Sequence, residues 1–155
     1  MKKINMPKTR LLCIYFLGML TMACDSAPTD KFSSGGGLNL KEERGSWLLI
    51  NYWAEWCGPC REEIPELNEL HADRENLNLH LMGVNYDGIR DDALAKVIEK
   101  MGIAFPVLIE DPRKYWEAEQ PQVLPATLVI NPQGRLIANL VGPQTKASLL
   151  AAMQE

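Results

Sequence analysis

The sequence has few of the residues that build metal sites or disulfide-rich scaffolds. It contains two histidines and four cysteines among 155 residues, and only Cys57 and Cys60 lie beyond the first 24 positions. So few cysteines exclude a disulfide-dense fold. A structural zinc site needs about four ligands, whereas the chain offers two thiols and no paired histidine motif. We therefore expect no metal centre and no other cofactor.

Positive charge is also scarce. The chain has 16 Lys and Arg residues against 20 Asp and Glu residues, which gives a formal net charge of −4. Four of the basic residues come before position 24, so the chain from Cys24 onward carries a charge of about −8. Such an acidic domain binds nucleic acid poorly and is repelled by anionic lipid. We expect no nucleic-acid partner, and a membrane link would need a separate anchor.

No apolar run is long enough to span a bilayer. The longest, 11–23, falls short of the roughly 20 residues that a spanning helix needs. Basic residues precede it and Cys24 follows it, which resembles a bacterial lipoprotein signal. We predict that residues 1–23 are removed and that Cys24 is lipidated. Asp25 then implies an inner-membrane lipoprotein facing the periplasm. A plain secretory signal, giving a soluble periplasmic protein, or an uncleaved anchor remains open, because Thr21 replaces the usual leucine.

The rest of the chain divides into a tether and one folded domain. Residues 25–37 are rich in Ser, Pro, Thr and Gly, so 24–37 is predicted to be the lipidated cysteine and a flexible tether. Residues 38–155 alternate strand and helix patterns and end in a hairpin, which predicts an α/β domain with a mixed sheet sandwiched by helices. The predicted strands are 38–40, 47–53, 77–84, 105–109, 127–130 and 136–141. The predicted helices are 58–74, 91–101, 111–119 and 145–154.

The most informative motif is Cys57-Gly58-Pro59-Cys60, which follows the buried strand Trp47–Trp53 directly and opens a helix. The positive end of a helix favours a thiolate by up to about 2 kcal/mol. Gly58 lets a partner's backbone approach, and Pro59 fixes the turn without leaving an unpaired N–H. We therefore predict that Cys57 is an exposed nucleophile.

The second cysteine has a different environment. Cys60 shares a helix face with Ile64 and Leu67, and that face must meet the core. Cys60 is therefore predicted to be the sheltered resolving thiol, which releases the partner from Cys57. Glu63, three residues further along the same helix, is a candidate acid/base for Cys60. The alternative for Glu63 is an ordinary solvated helix glutamate.

The segment 49–67, Leu-Ile-Asn-Tyr-Trp-Ala-Glu-Trp-Cys-Gly-Pro-Cys-Arg-Glu-Glu-Ile-Pro-Glu-Leu, resembles the thioredoxin superfamily. It is most similar to the membrane-tethered TlpA/ResA/CcmG branch, because Asn51 replaces a buried Asp and Glu63 matches the branch's active-site Glu. The stretches 83–87 and 105–107 resemble its later strands and inserted region. The resemblance implies a thioredoxin fold with a TlpA-type insertion and a redox-active Cys57–Cys60 disulfide. It also implies electrons from a membrane dithiol relay.

The same resemblance points to a substrate groove around the two cysteines. In this superfamily a cis-proline faces the cysteines, and the residue before it offers backbone hydrogen bonds to the partner. Leu124 and Pro125 occupy those places, although a trans edge-strand proline is an equal alternative from the sequence alone. The family glycine two positions before the proline is Val123 here. Trp56 would shape the same groove, with Gly58 and Pro59.

These observations predict a monomeric, periplasm-facing thiol:disulfide oxidoreductase that reduces protein disulfides, such as those of apocytochromes c in cytochrome c biogenesis. Three alternatives stay open at this point. The same fold could act as an oxidase or isomerase. The two thiols could hold a metal or a haem partner in a binding module. The disulfide could also be inert, in a structural lipoprotein.

Overall fold

The computed structural model describes residues 29–154. The predicted signal peptide, 1–23, and the predicted lipidation site, Cys24, lie outside the described residues. The strands are β1 (Asp30–Lys31), β2 (Gly37–Leu38), β3 (Trp47–Trp53), β4 (Leu79–Asn85), β5 (Val107–Leu108), β6 (Ala126–Ile130) and β7 (Leu136–Val141). The helices are α1 (Gly58–Ala72), α2 (Arg74–Leu77), α3 (Asp91–Met101) and α4 (Lys146–Ala152), with one 3-10 turn at Arg113–Trp116. Within residues 29–154, no helix combines the length and the apolar character that crossing a bilayer requires.

The central sheet contains five strands in the order β5-β4-β3-β6-β7. Strands β3, β4 and β5 run parallel, as strands joined through helices do. Strand β6 is antiparallel to β3, and β7 is antiparallel to β6. The prediction of a mixed sheet with an antiparallel hairpin is confirmed. The parallel strands bring the residues that follow β3, β4 and β5 to one end of the sheet.

The two faces of the sheet are covered differently. Alternate residues of β3 face opposite ways, so Leu49 and Trp53 join one core and Ile50 joins the other. The first core takes the apolar sides of α1, α3 and α4. The second core is closed by side chains from the amino-terminal hairpin and from the 3-10 turn: Phe32, Leu38, Tyr115 and Trp116. The helix predicted on that side, 111–119, is only the 3-10 turn Arg113–Trp116. The amino-terminal hairpin covers part of the sheet face that we expected a helix to cover.

The prediction of a flexible tether is wrong for residues 30–37. Strand β1 pairs with β2, and the Ser33 N–H donates to the Val107 carbonyl at 2.8 Å. The carboxylate of Asp30 accepts hydrogen bonds from the Leu40 N–H at 3.1 Å and from the Tyr115 hydroxyl at 2.9 Å. Residues 30–37 are thus part of the domain, because long-range partners offset the weak local preference of a Ser- and Gly-rich segment.

Gly83 leaves room for the Trp53 indole in the first core. A Cβ added at Gly83 would lie 2.7 Å from Trp53 Nε1 and 3.0 Å from Phe105 Cε2. Gly83→Ala is therefore expected to destabilise the domain by about 1–3 kcal/mol, the usual cost of overpacking. Urea unfolding measures the change. Gly58→Ala is the control, because its added Cβ meets nothing nearer than Arg61 Nη2 at 4.0 Å. Equal midpoints for the two variants would contradict the prediction.

Candidate active site

The two cysteines lie where β3 turns into α1. Cys57 is the N-cap residue of α1 in extended conformation, with Pro59 in the first turn. Cys57 and Cys60 form a disulfide with a Cα–Cα distance of 5.3 Å. The Cys60 N–H donates to the Cys57 sulfur at 3.2 Å. This N–H is one of the unpaired donors at a helix start, and it would stabilise negative charge on the Cys57 sulfur once the disulfide opens.

The disulfide is less accessible than the sequence predicted. Cys60 is fully buried, at 0 % exposure, as expected. Cys57 is only 4 % exposed, so the prediction of an exposed thiol is wrong for the oxidised chain. The disulfide joins Cys57 to the fully buried Cys60. A partner must therefore reach the Cys57 sulfur through the surface next to it.

The surface beside the disulfide carries the predicted groove residues. Trp56 is 64 % exposed, and its indole N–H donates to both carboxylate oxygens of Asp87, at 3.2 and 3.1 Å. Pro59 is exposed, and Gly58 has open space above it. The hydrogen bond to Asp87 holds the Trp56 ring against the loop that follows β4. The indole face beside Cys57 is therefore held in place before a partner arrives.

The Leu124–Pro125 peptide bond is cis. Ala126 pairs with Tyr52 across β6 and β3, so Pro125 comes alongside the end of β3 that leads into the cysteines. Leu124 is half-buried and contacts both cores, whereas Val123 is 57 % exposed. The predicted residues on both sides of the groove are thus brought to one end of the sheet.

Behind the disulfide, Glu63 belongs to a buried polar network. It is 2 % exposed. Its Oε1 accepts a hydrogen bond from Asn51 Nδ2 at 2.7 Å, and its Oε2 accepts one from the Gln144 N–H at 2.9 Å. Asn51 Nδ2 also donates to Thr127 Oγ1 at 3.0 Å. Glu63 is therefore not the solvated glutamate of the alternative interpretation. Strand β3 and the loop before α4 meet at its carboxylate, and β6 is linked to it through Asn51.

Burial raises the pKa of Glu63, because water no longer solvates its charge. The hydrogen bonds from Gln144 and Asn51 oppose this rise, since both favour the carboxylate. Burial prevails. A carboxyl with a raised pKa can gain and lose a proton closer to neutrality than a solvated glutamate can, and this carboxyl lies one helical turn from Cys60.

The raised pKa of Glu63 also predicts how stability depends on pH. Above the ordinary value of 4.5, the unfolded chain loses this proton while the folded chain still holds it. The contribution of Glu63 to the free energy of unfolding therefore falls as pH rises from 4.5 to the folded pKa. Glu63→Gln lacks this contribution, so its stability relative to wild type should improve over the same range. Urea unfolding across that range measures the difference; a constant difference would contradict the prediction.

Three partners in the site were missed by the sequence interpretation: Thr127, Gln144 and Asp87. Thr127 is a polar residue within a strand of otherwise apolar residues, which could have marked it as a partner for the equally buried Asn51. Gln144 acts through its backbone N–H, which leaves no signal in the sequence. Asp87 lies in the predicted family stretch 83–87, but its contact with Trp56 depends on the tertiary structure.

Between residues 29 and 154, no three His, Cys, Asp or Glu side chains come close enough together to hold an ion.

A mixed sheet whose central strand feeds a disulfide at a helix start, opposite a cis-proline, defines the thioredoxin class of folds. The chain belongs to the AhpC/TSA family, whose model matches residues 25–139. This assignment confirms the predicted membership of the thioredoxin superfamily.

Named relatives agree with the assignment. The chain is 29 % identical over 115 residues to the thiol-disulfide oxidoreductase ResA of Bacillus thuringiensis strain Al Hakam, covering 74 % of this chain and 66 % of that protein. It is 26 % identical over 117 residues to ResA of Bacillus subtilis strain 168, covering 76 % and 65 %. The chain thus spans slightly less than two thirds of the length of these relatives.

A solved structure has the same fold. It is a thioredoxin-family thiol:disulfide interchange protein from Chlorobium tepidum TLS, with a TM-score of 0.66 and 21 % identity. The match covers 84 % of this chain and 97 % of that one. The thioredoxin fold predicted from the sequence is confirmed.

Proposed function

We propose that this chain is a thiol:disulfide oxidoreductase that reduces disulfides in other proteins. The observation that carries the proposal is the Cys57–Cys60 disulfide at the start of α1, with the Cys60 N–H directed at the Cys57 sulfur at 3.2 Å. Such a placement favours a thiolate at Cys57 in the reduced enzyme. Its similarity to the thiol-disulfide oxidoreductases named ResA supports the same activity.

The reaction begins at Cys57. Its thiolate attacks one sulfur of a partner disulfide, so a Cys57–partner disulfide forms and the partner's other sulfur leaves as a thiolate that takes up a proton. The exposed Trp56 indole and the backbone before Pro125 offer the surface on which the partner would lie. The Asp87 hydrogen bond holds that indole without occupying its outer face.

The second step releases the product. Cys60 loses its proton, and its thiolate attacks the Cys57 sulfur, which expels the partner's remaining thiolate and restores the Cys57–Cys60 disulfide. Two electrons have then passed to the partner. Cys60 is buried, so its proton needs an internal acceptor, and we assign this role to Glu63. The hydrogen bonds from Asn51 and Gln144 keep the Glu63 carboxylate available despite its burial.

Sustained turnover needs a source of electrons. We propose that a membrane protein with a reactive dithiol reduces Cys57–Cys60, and that the enzyme acts as a monomer held at the outer face of the inner membrane by a lipid on Cys24. Ala23-Cys24, the basic residues before the apolar run and Asp25 support this location. Disulfides of apocytochromes c are the substrate class that the family resemblance favours.

The activity is tested with purified protein. Insulin reduction driven by dithiothreitol should proceed with wild type and not with Cys57→Ser. The reduction potential should lie well below that of glutathione if the enzyme is a reductant. A potential equal to or above that of glutathione would instead assign the chain to the oxidases or isomerases. A wild-type chain that neither reduces insulin nor forms a mixed disulfide would support the binding module.

A further inference from the structure

The segment 31–33, at the end of β1, bonds to the edge strand β5 in the reverse direction. Phe32 forms an antiparallel bridge with Leu108. The Ser33 N–H donates to the Val107 carbonyl at 2.8 Å, and the Ile109 N–H donates to the Lys31 carbonyl at 3.0 Å. The chain at β1 therefore lies beside β5 and runs against it. Since β5 is parallel to β4 and β4 to β3, β1 also runs against the strand that ends at the cysteines.

This direction decides where the amino-terminal segment leaves the domain. The first residue of an antiparallel neighbour lies at the end where the parallel strands finish. Asp30 is fixed at that end by the Tyr115 hydroxyl, which comes from the turn after β5. The disulfide follows β3 at the same end. We call it the disulfide end, defined by Trp56, Cys57, Asp87, Val123 and Asp30.

The last described residue, Gln154, lies at the opposite end. Because β6 is antiparallel to both β3 and β7, strand β7 runs parallel to β3. The loop after β7 therefore lies at the disulfide end, where the Gln144 N–H donates to Glu63. Helix α4 then runs back along α1. Gln154, two residues past the end of α4, lines the same surface depression as Trp47, the first residue of β3. The two termini of the described chain thus mark the two ends of the sheet.

We infer that the anchor holds the disulfide end toward the membrane, where the membrane dithiol of the proposed function would reach it. The inference rests on the lipid on Cys24 that belongs to the proposed function. Asp30 comes six positions after Cys24, and six steps of about 3.6 Å each reach about 22 Å at most. Three strand spacings from β1 to β3 add about 14 Å. The disulfide strand therefore stays within about 36 Å of the lipidated residue.

The electron transfer balances as an exchange of sulfur bonds. A donor thiolate attacks the Cys57 sulfur, and Cys60 leaves as a thiolate and is protonated. The second donor thiolate then attacks the donor sulfur joined to Cys57, which frees the Cys57 thiolate. The donor becomes a disulfide, and the enzyme gains two electrons. Exposed Trp56 and Val123 provide apolar contact on either side of the disulfide for such a protein partner.

The orientation is tested with two matched labels. Gln122 and Gln133 are both exposed, and the β6–β3 register places the first at the disulfide end and the second at the far end. Each is changed to cysteine in a Cys57→Ser/Cys60→Ser background, labelled with one fluorophore, and studied as the full lipidated chain in nanodiscs with spin-labelled headgroups. Quenching should be at least about twofold stronger for Gln122→Cys, because a strand of seven residues separates the ends by about 20 Å.

An anchor at the other terminus is the control. Without the lipid, a six-histidine tag at the carboxyl terminus binds the domain to nickel-chelating lipid, and the order of quenching should reverse. Equal quenching at the two positions, or stronger quenching for Gln133→Cys with the native anchor, overturns the inference.

A separate measurement tests whether the lipid anchor itself is present. Mass spectrometry of the membrane-extracted chain detects acyl groups on Cys24, and their absence contradicts the proposed lipid. The orientation is then tested with the same tag placed at position 24. The insulin assay tests the proposed activity, and its result does not affect the order of quenching that the orientation predicts.

Discussion

Cys60→Ser is expected to stop after the first half of the reaction and to hold its partner on Cys57. The serine hydroxyl cannot break the mixed disulfide, so turnover falls to the background rate while the covalent complex accumulates. Cys57 and Cys60 are the only cysteines among the described residues. In this variant, therefore, none of those residues supplies a second thiol that could release the bound partner. Expression of the full-length variant in cells, followed by non-reducing electrophoresis and mass spectrometry of the trapped band, identifies the partner.

The matched control is Cys57→Ser. It retains the buried Cys60 thiol, which a partner disulfide cannot reach, so it should trap far less protein. Dithiothreitol should reduce the mixed disulfide and release the partner from the Cys60→Ser variant. If both variants trapped equally, the assignment of Cys57 as nucleophile and Cys60 as resolving thiol would be wrong.

Glu63→Gln is expected to slow the release step by about 100-fold or more, the lower end of what general acid–base catalysis contributes. Cys60 would then lose its only proposed internal proton acceptor. In wild type the rate of release should fall as the pH drops through the raised pKa of Glu63, because the protonated carboxyl accepts no proton. The variant should lack this inflection. Stopped-flow measurement of release from a preformed mixed disulfide gives both results.

Glu66→Gln is a closely matched control for this variant. Glu66 lies one turn further along α1, and its Oε2 accepts a hydrogen bond from the Lys146 N–H at 2.8 Å. Both glutamates therefore hold the chain where it leads into α4. Glu63 binds the loop at Gln144 and Glu66 binds Lys146, the first residue of the helix, but Glu66 is not part of the network behind the disulfide. Glu66→Gln should keep the wild-type pH profile. Equal slowing in the two variants would assign Glu63 a role in holding that loop rather than in proton transfer.

Regular elements with strong local signals were predictable from the sequence. Strand Trp47–Trp53 and helix Asp91–Met101 have the predicted bounds. The strand is a nearly continuous apolar run, which suits a strand covered on both faces. The helix has a 3.6-residue apolar period and ends at Gly102, whose φ of 68° suits the left-handed C-cap. Hydrophobic pattern and end signals agree in both cases.

Segments stabilised by distant contacts were not predictable. Composition alone made residues 30–37 a tether, yet Phe32 covers the second core and the segment pairs with β5. The 3-10 turn at Arg113–Trp116 ends at Glu117, which adopts a φ of 53°. A non-glycine residue rarely takes that conformation, so the sequence favoured a longer helix.

The candidate site shows the same division. The cysteine pair and its place at a helix start follow from local pattern, and Glu63 follows from its spacing and the family resemblance. The partners that bury and position Glu63 come from β3, β6 and the loop before α4, which only the fold brings together. The low exposure of Cys57 depends on the tertiary packing around the disulfide, which the local pattern of residues does not contain.

The close approach of Gly83 to Trp53 has a consequence for related sequences. A protein of this fold can place a side chain at the position of Gly83 only if a residue smaller than tryptophan occupies the position of Trp53, because the indole fills the space that a Cβ would need. The two positions should therefore co-vary across homologues. In directed evolution, a Gly83 substitution should be recovered together with a compensating change at Trp53.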